Sequence, residues 1–225
     1  MGRNAGKCFV LVTVMLASCE VIAPRLVRLD AVAPTVRQDV RYAGPDNFVG
    51  TPIDGYRAAH CWLSEPAARA LARVQDDVMQ DGLSLVVFDC YRPQRAADHF
   101  VRWAGDGGDQ RTKEVYYPRV SKKELFSEGY VARRSGHSRG STVDVTLARV
   151  RGARPAALDM GTPFDFFDPR SHASSPDVTP LARANRARLR RAMTARGFRP
   201  YEPEWWHFTL EDEPYPDHYF DLPVE

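Results

Sequence analysis

The chain has 225 residues, which suits one domain or at most two small ones. Its 44% hydrophobic content is enough for a full core, yet a mean hydropathy of −0.42 excludes a multi-span membrane protein. Charged residues make up 27% with a formal net charge of +2, which excludes a nucleic-acid-binding charge field, and four cysteines are too few for a disulfide scaffold and show no C-x-x-C zinc spacing.

The N-terminus departs from this soluble pattern. Arg3 and Lys7 precede an apolar run from Cys8 to Ala17, too short to span a bilayer comfortably. It ends in Leu16-Ala17-Ser18-Cys19, which resembles the bacterial lipobox, so Cys19 is expected to carry lipid and become the first mature residue. An ordinary signal peptide or a buried strand is the plainer alternative. Residues 1–18 are read as a lipoprotein-type signal peptide, 19–35 as a short tether and 36–225 as the folded domain. Loss of residues 1–18 removes Arg3 and Lys7 and no acid, so the remainder is neutral and asks for no nucleic-acid partner. The expected location is outside the cytoplasm, held to a bacterial membrane through the lipid anchor only.

Further along, Ser64 can cap a helix over 65–81, in which Ala67, Leu71, Val74 and Val78 form an apolar stripe ended by Gly82. Leu83 to Phe88 reads as a strand buried on both faces; it runs into Asp89-Cys90-Tyr91-Arg92-Pro93, and a helix near 94–104 follows. Ser121 with Glu124 makes a capping box for a short helix stopped by Gly129. Thr179-Pro180 opens a helix running to Gly197, with Leu181, Leu189 and Met193 inward. Its arginines (Arg183, Arg186, Arg188, Arg190, Arg191, Arg196) read as a solvated face, since no aromatic residues interleave. This order predicts a single α+β domain with a mainly antiparallel sheet and helices packed on it.

Two segments share one pattern. Val143-Asp144-Val145-Thr146-Leu147 and Trp206-His207-Phe208-Thr209-Leu210 each read apolar, polar, apolar, Thr, Leu. Strand side chains alternate faces, so Asp144 with Thr146, and His207 with Thr209, would face away from the core. If the strands are neighbours, a carboxylate and an imidazole converge on one sheet face. Two ordinary half-exposed strands would show the same pattern. The glycine-flanked loop before the first strand can bring His137 beside Asp144. His137, Asp144 and His207 then form a three-ligand set for one catalytic Zn²⁺, with water in the fourth position. One carboxylate leaves the ion a net positive charge, which favours deprotonation of its bound water. Such a set would also take Co²⁺ or Ni²⁺. Glu204 could take the proton, provided a turn or bulge near Trp205 brings positions 204 and 207 to one face. Arg92, past the end of a buried strand, suits an oxyanion; pairing with Asp89 is its plainer role.

These segments resemble the zinc D-alanyl-D-alanine dipeptidases of the vancomycin-resistance type. The motifs that carry it are Y-A-G-P-D-N-F-V-G-T-P-I-D-G-Y (42–56), F-D-C-Y-R-P (88–93), Y-V-A-R-R-S-G-H-S-R-G-S-T-V-D-V-T-L (130–147), M-G-T-P-F-D-F-F-D-P-R-S-H (160–172), E-W-W-H-F (204–208) and D-E-P-Y-P (212–216). The resemblance implies that His137, Asp144 and His207 hold zinc, Glu204 is the catalytic base and Arg92 stabilises the transition state. It further implies that Asp165, with Tyr42 on the same side, holds the amine of a small dipeptide, and that Ser135 lies near its carboxylate. Pairing both charged ends suits an enzyme confined to dipeptides. The plainer role of Asp165 is that of a turn or helix-capping acid.

Two departures matter. The familiar resistance enzymes work in the cytoplasm, whereas an exported one fits scavenging or turnover of cell-wall-derived D-Ala-D-Ala. Cys90 stands where the family often has a small residue, and it could bridge with Cys61 in an oxidising compartment or remain a buried free thiol. The competing functions are a D,D- or L,D-carboxypeptidase or endopeptidase acting on peptidoglycan stems, and a non-catalytic zinc-stabilised binding lipoprotein.

Overall fold

The computed structural model describes residues 1–2, 24–150 and 156–225. Cys19 and nearly all of the expected signal peptide lie outside the described residues. No helix among those described is long and apolar enough to cross a membrane.

Strand β1 (Leu26–Arg28) leads into a one-turn helix α1 (Leu29–Val32), then β2 (Arg37–Gln38) and a 3₁₀ turn at Arg41–Ala43. β1 pairs antiparallel with β3 (Trp62–Ser64), and Leu29 is wholly buried in the core. The expected tether over 19–35 is therefore corrected: its apolar Leu26, Val27 and Leu29 pack, and the fold begins by Leu26.

Helix α2 (Glu65–Gln80) buries Ala67, Leu71, Val74 and Val78 as one stripe. Ser64 holds the N-cap position but does not cap. Its hydroxyl instead meets that of Ser141 at 2.8 Å. β4 (Leu83–Asp89) is buried along its whole length. Then come α3 (Gln94–Gly105) and the one-turn helices α4 (Lys113–Tyr116) and α5 (Glu124–Ser127). Before α5 the Glu124 carboxylate accepts from the Ser121 backbone N–H at 2.9 Å, one half of the expected capping box.

A 3₁₀ turn at Gly136–Arg139 enters β5 (Thr142–Arg149), followed by β6 (Ala156–Ala157) and a 3₁₀ turn at Pro169–Ser171. Gly140 closes the first turn at φ +77°, where a side chain would also collide with Leu26. The chain finishes with α6 (Pro180–Thr194), β7 (Phe198–Tyr201) and β8 (Glu204–Leu210). The six-stranded sheet has the order β2-β4-β5-β8-β7, with β6 beside β5; only β2 and β4 run parallel. The mainly antiparallel α+β expectation holds.

Two details of α6 differ from expectation. Thr179 caps it through Ala182 N–H at 3.1 Å, but the inward row is Ala182, Arg186, Leu189 and Met193. Leu181, one position off that row, is 62% exposed. Arg186 is buried rather than solvated. It donates to the carbonyls of Met160 (2.7 Å) and His172 (2.8 Å), and so clamps the loop between them. Arg188 and Arg196 pair with Asp81 and Asp77 of the α2 segment.

Cys61 and Cys90 form a disulfide joining the start of β3 to the end of β4. The bridge closes a loop of 29 residues in sequence separation, for which the chain-entropy estimate is about 3–4 kcal/mol. Reduction is expected to lower the stability measured by urea unfolding by that amount. An unchanged midpoint with two titratable thiols in unreduced, unfolded protein would contradict the bridge.

Candidate active site

The alternation pattern of β5 and β8 places the reactive groups. The strands pair antiparallel with Asp144 directly opposite His207 and Thr142 opposite Thr209, whose hydroxyls bond at 2.9 Å. Val143 and Phe208 fill the apolar face, so the carboxylate and imidazole share the other. His137 arrives from the 3₁₀ turn. Its Nδ1–H donates to the Cys90 carbonyl at 2.6 Å, which leaves the Nε2 lone pair facing Asp144 and His207.

Three donor atoms converge here. His137 Nε2 lies 3.3 Å from Asp144 Oδ2 and 3.3 Å from His207 Nδ1, and His207 Nδ1 lies 3.1 Å from Asp144 Oδ1. A tetrahedral zinc with ligands at about 2.0–2.2 Å has ligand-to-ligand edges of roughly 3.3–3.6 Å, so the spacing fits. Asp144 Oδ1 is buried with no hydrogen-bond partner, an unmet acceptor that a cation would satisfy. Burial pulls the His207 imidazole towards its neutral form, the form a metal needs. Burial alone would raise the Asp144 carboxyl, but the two imidazoles outweigh it and hold it well below the usual carboxylate range.

Glu204 reaches this cluster through the bulge its role required. The β7–β8 pairing jumps from Pro200 opposite Phe208 to Tyr201 opposite Glu204, so residues 205–207 bulge. Glu204 Oε2 thereby comes to 3.4 Å from His207 Nδ1. Burial, then the charges of Asp144 and Asp165, push its carboxyl well above the usual range. Arg92 pairs with Asp89 and still lines the site. Its Nε and one terminal nitrogen lie 2.9 Å from Asp89 Oδ2, the latter also 3.7 Å from Asp144, while the guanidinium lies 5.0 Å from the Tyr42 and Phe100 ring centroids at the site.

His137, Asp144, His207, Glu204 and Arg92 line one cavity of about 190 Å³, together with Asp165, Tyr42 and Ser135. Asp165 is buried, and its carboxylate accepts from Tyr42 Oη at 3.0 Å. Burial and the nearby Asp144 charge push it well above the ordinary carboxyl range. Among the described residues it is the only one besides glycine with positive φ (60°), a strained conformation of the sort that marks functional sites. The loop that carries it is fixed by Arg186 and by Trp205 Nε1, which donates to Thr162 Oγ1 at 2.9 Å. Ser135 Oγ accepts from the His137 backbone N–H at 3.2 Å.

Sequence reading passed over Tyr56 and the Cys90 carbonyl, and took Asp89 only as a partner for Arg92. Asp89, fully buried, orients Arg92 and approaches His137 Nδ1 at 3.4 Å; Tyr56 donates to it at 2.6 Å. The Cys90 carbonyl sets the His137 tautomer. Only the Asp89-x-x-Arg92 spacing was available as a signal for any of them. Among the described residues, His60, His99, His172 and His218 lie outside the cluster.

A sequence profile described as D-Ala-D-Ala dipeptidase, of the peptidase M15 family, matches residues 23–225. The D-alanyl-D-alanine dipeptidase of Streptomyces coelicolor is 46% identical over 196 residues, covering 87% of this chain and 96% of that protein. Those of Enterococcus faecium (42%, 88% and 96% covered) and Escherichia coli (36%, 82% and 84% covered) are similar as well. A matching profile over nearly the whole described chain, together with a convergent His-Asp-His cluster, makes the protein a metallopeptidase that belongs to the M15 D-Ala-D-Ala dipeptidase family.

Proposed function

We propose that the protein is a zinc dipeptidase that cleaves D-alanyl-D-alanine to two D-alanines outside the cytoplasm. The observation that carries this reading is the cavity itself: donor atoms spaced for zinc at one part, and a buried, under-compensated Asp165 at another. His137, Asp144 and His207 would hold the ion, which supplies Lewis-acid polarisation of the peptide carbonyl and lowers the pKa of water.

The chain's own groups do the rest. Asp165, supported by Tyr42 Oη, pairs with the substrate ammonium and so fixes the scissile bond. Glu204 takes a proton from the attacking water as the new C–O bond forms at the peptide carbon. Its raised pKa suits that work near neutral pH. Arg92, held by Asp89, presents positive charge to the developing oxyanion in a cavity lined by Phe48, Phe100, Phe167 and Trp206. Glu204 then returns the proton to the leaving nitrogen as the C–N bond breaks, leaving a free amine and a free carboxylate.

The export signal read in residues 1–18, with Cys19 as the lipid anchor, supports a role in cell-wall dipeptide turnover or scavenging. The Cys61–Cys90 bridge is in keeping with an oxidising compartment. Purified protein is expected to carry one zinc per chain and to release D-alanine from D-Ala-D-Ala. Chelation should abolish release, and added zinc should restore it. No release by zinc-loaded protein would refute the reading.

A further inference from the structure

The Cys61–Cys90 bridge meets the site through the backbone around Cys90. Asp89, one residue earlier, holds Arg92. The Cys90 carbonyl itself accepts the Nδ1–H of His137 at 2.6 Å. Further on, the Tyr91 N–H donates to the Trp62 carbonyl at 2.9 Å, and the Arg92 N–H reaches the His137 carbonyl at 3.4 Å. Cys90 to Arg92 lie past the end of β4, just after the β4–β5 register shifts between Val87 and Asp89. A chain leaving a sheet at such an irregularity has lost regular ladder support, so a covalent tie there has the most to fix.

The other half of the bridge is anchored on both sides. The Cys61 N–H donates to Gln38 Oε1 at 2.7 Å, and its carbonyl accepts from the Leu29 N–H at 2.9 Å. Cys61 opens into β3, which returns to the turn that carries His137: the Ser64 N–H donates to the Gly140 carbonyl at 2.6 Å, and Gly140 closes that turn. The turn is therefore gripped by the Cys90 carbonyl at His137 and by β3 at Gly140, and the disulfide locks these two grips together. Cys61 and Cys90 are 1% and 2% exposed, so the bridge is a fixed brace and not a switch open to solvent reductants.

We infer that the disulfide positions the metal centre, holding His137 Nε2 at the spacing zinc needs and Arg92 beside it. This rests on the zinc reading and makes Cys61 and Cys90 positioning residues that act through His137 and Arg92. Disturbing the hydrogen-bond partner of a metal ligand typically costs about 10–100-fold in affinity or activity.

The test compares wild type, Cys61→Ser/Cys90→Ser and Leu189→Ala, each at a temperature where circular dichroism shows it fully folded. Leu189→Ala empties a buried position on α6 outside the cavity lining, and so lowers stability without touching the brace. The serine pair should bind zinc at least about tenfold more weakly by chelator competition, and its cobalt-loaded form should show a shifted visible spectrum. At saturating zinc its kcat should fall with KM little changed, because Asp165 and Tyr42 belong to other segments. Leu189→Ala should keep the wild-type affinity and spectrum. If the serine pair does not fold, the alanine pair, which buries no hydroxyl, takes its place. Wild-type affinity and spectrum without the bridge, or an equal loss in Leu189→Ala, would overturn the inference and leave the bridge to stability alone. A wild type that takes up no zinc would instead sink the zinc reading itself.

Discussion

Glu204→Gln is expected to lower kcat for D-Ala-D-Ala by at least two orders of magnitude, roughly the worth of general-base catalysis, while one zinc per chain stays bound. The amide keeps the shape of the carboxyl group but cannot accept a proton. Zinc retention follows because the three convergent donor atoms belong to His137, Asp144 and His207. The metal-free variant should also melt no lower than metal-free wild type at neutral pH. Burial and two neighbouring carboxylates raise the folded-state pKa of Glu204, so the native state holds this proton to higher pH than the unfolded chain does. That contribution to stability is fully present below the ordinary glutamate range and is lost as pH rises through the raised value. A neutral glutamine removes the cost. Turnover within tenfold of wild type would take Glu204 out of the mechanism.

Asp165→Asn is the second large effect. A buried charge-assisted hydrogen bond to an ammonium is worth about 1.5–3 kcal/mol, so KM for D-Ala-D-Ala should rise by one to two orders of magnitude. Cleavage of N-acetyl-D-Ala-D-Ala, which has no ammonium, should change little. The variant therefore narrows the gap between the two substrates from one side. Tyr42→Phe should have the same direction and a smaller size, because it removes only the hydroxyl that supports Asp165. Steady-state kinetics on both substrates checks each variant. An equal KM change for the acylated peptide would assign Asp165 to structure instead of amine recognition.

What could be read before the fold was known depended on how local the signal was. Strand alternation is local, so V-D-V-T-L and W-H-F-T-L showed which face of each strand carries Asp144 and His207; that the strands are neighbours was a condition, and the two residues lie directly opposite in register. The bulge at 205–207 was a condition inferred from chemistry; the pairing with β7 that creates it lies outside any short window of sequence. Arg186 looked like one of six solvated arginines. It is buried because the Met160 and His172 carbonyls come from a distant loop, and their hydrogen bonds offset its burial. Leu181 shows the converse: an apolar residue one step off the 3.6-residue row points outward whatever its hydrophobicity. The stretch 26–33 passed for a tether because so short a strand and helix have little periodicity. Their partners, β3 and the core under Leu29, lie about thirty-five residues on. Asp89 was read only as a partner for Arg92. Its second task, facing His137, needed β4 and the 3₁₀ turn to meet.

The most direct test is the ratio of kcat/KM for D-Ala-D-Ala to that for N-acetyl-D-Ala-D-Ala, measured on the zinc-loaded, disulfide-intact protein. A site that confines both substrate ends predicts preference for the free dipeptide by at least ~10²-fold, since an acylated amine leaves Asp165 buried without its counter-charge. Equal or better cleavage of the acylated peptide would contradict a dipeptidase and point to a carboxypeptidase acting on peptidoglycan stems.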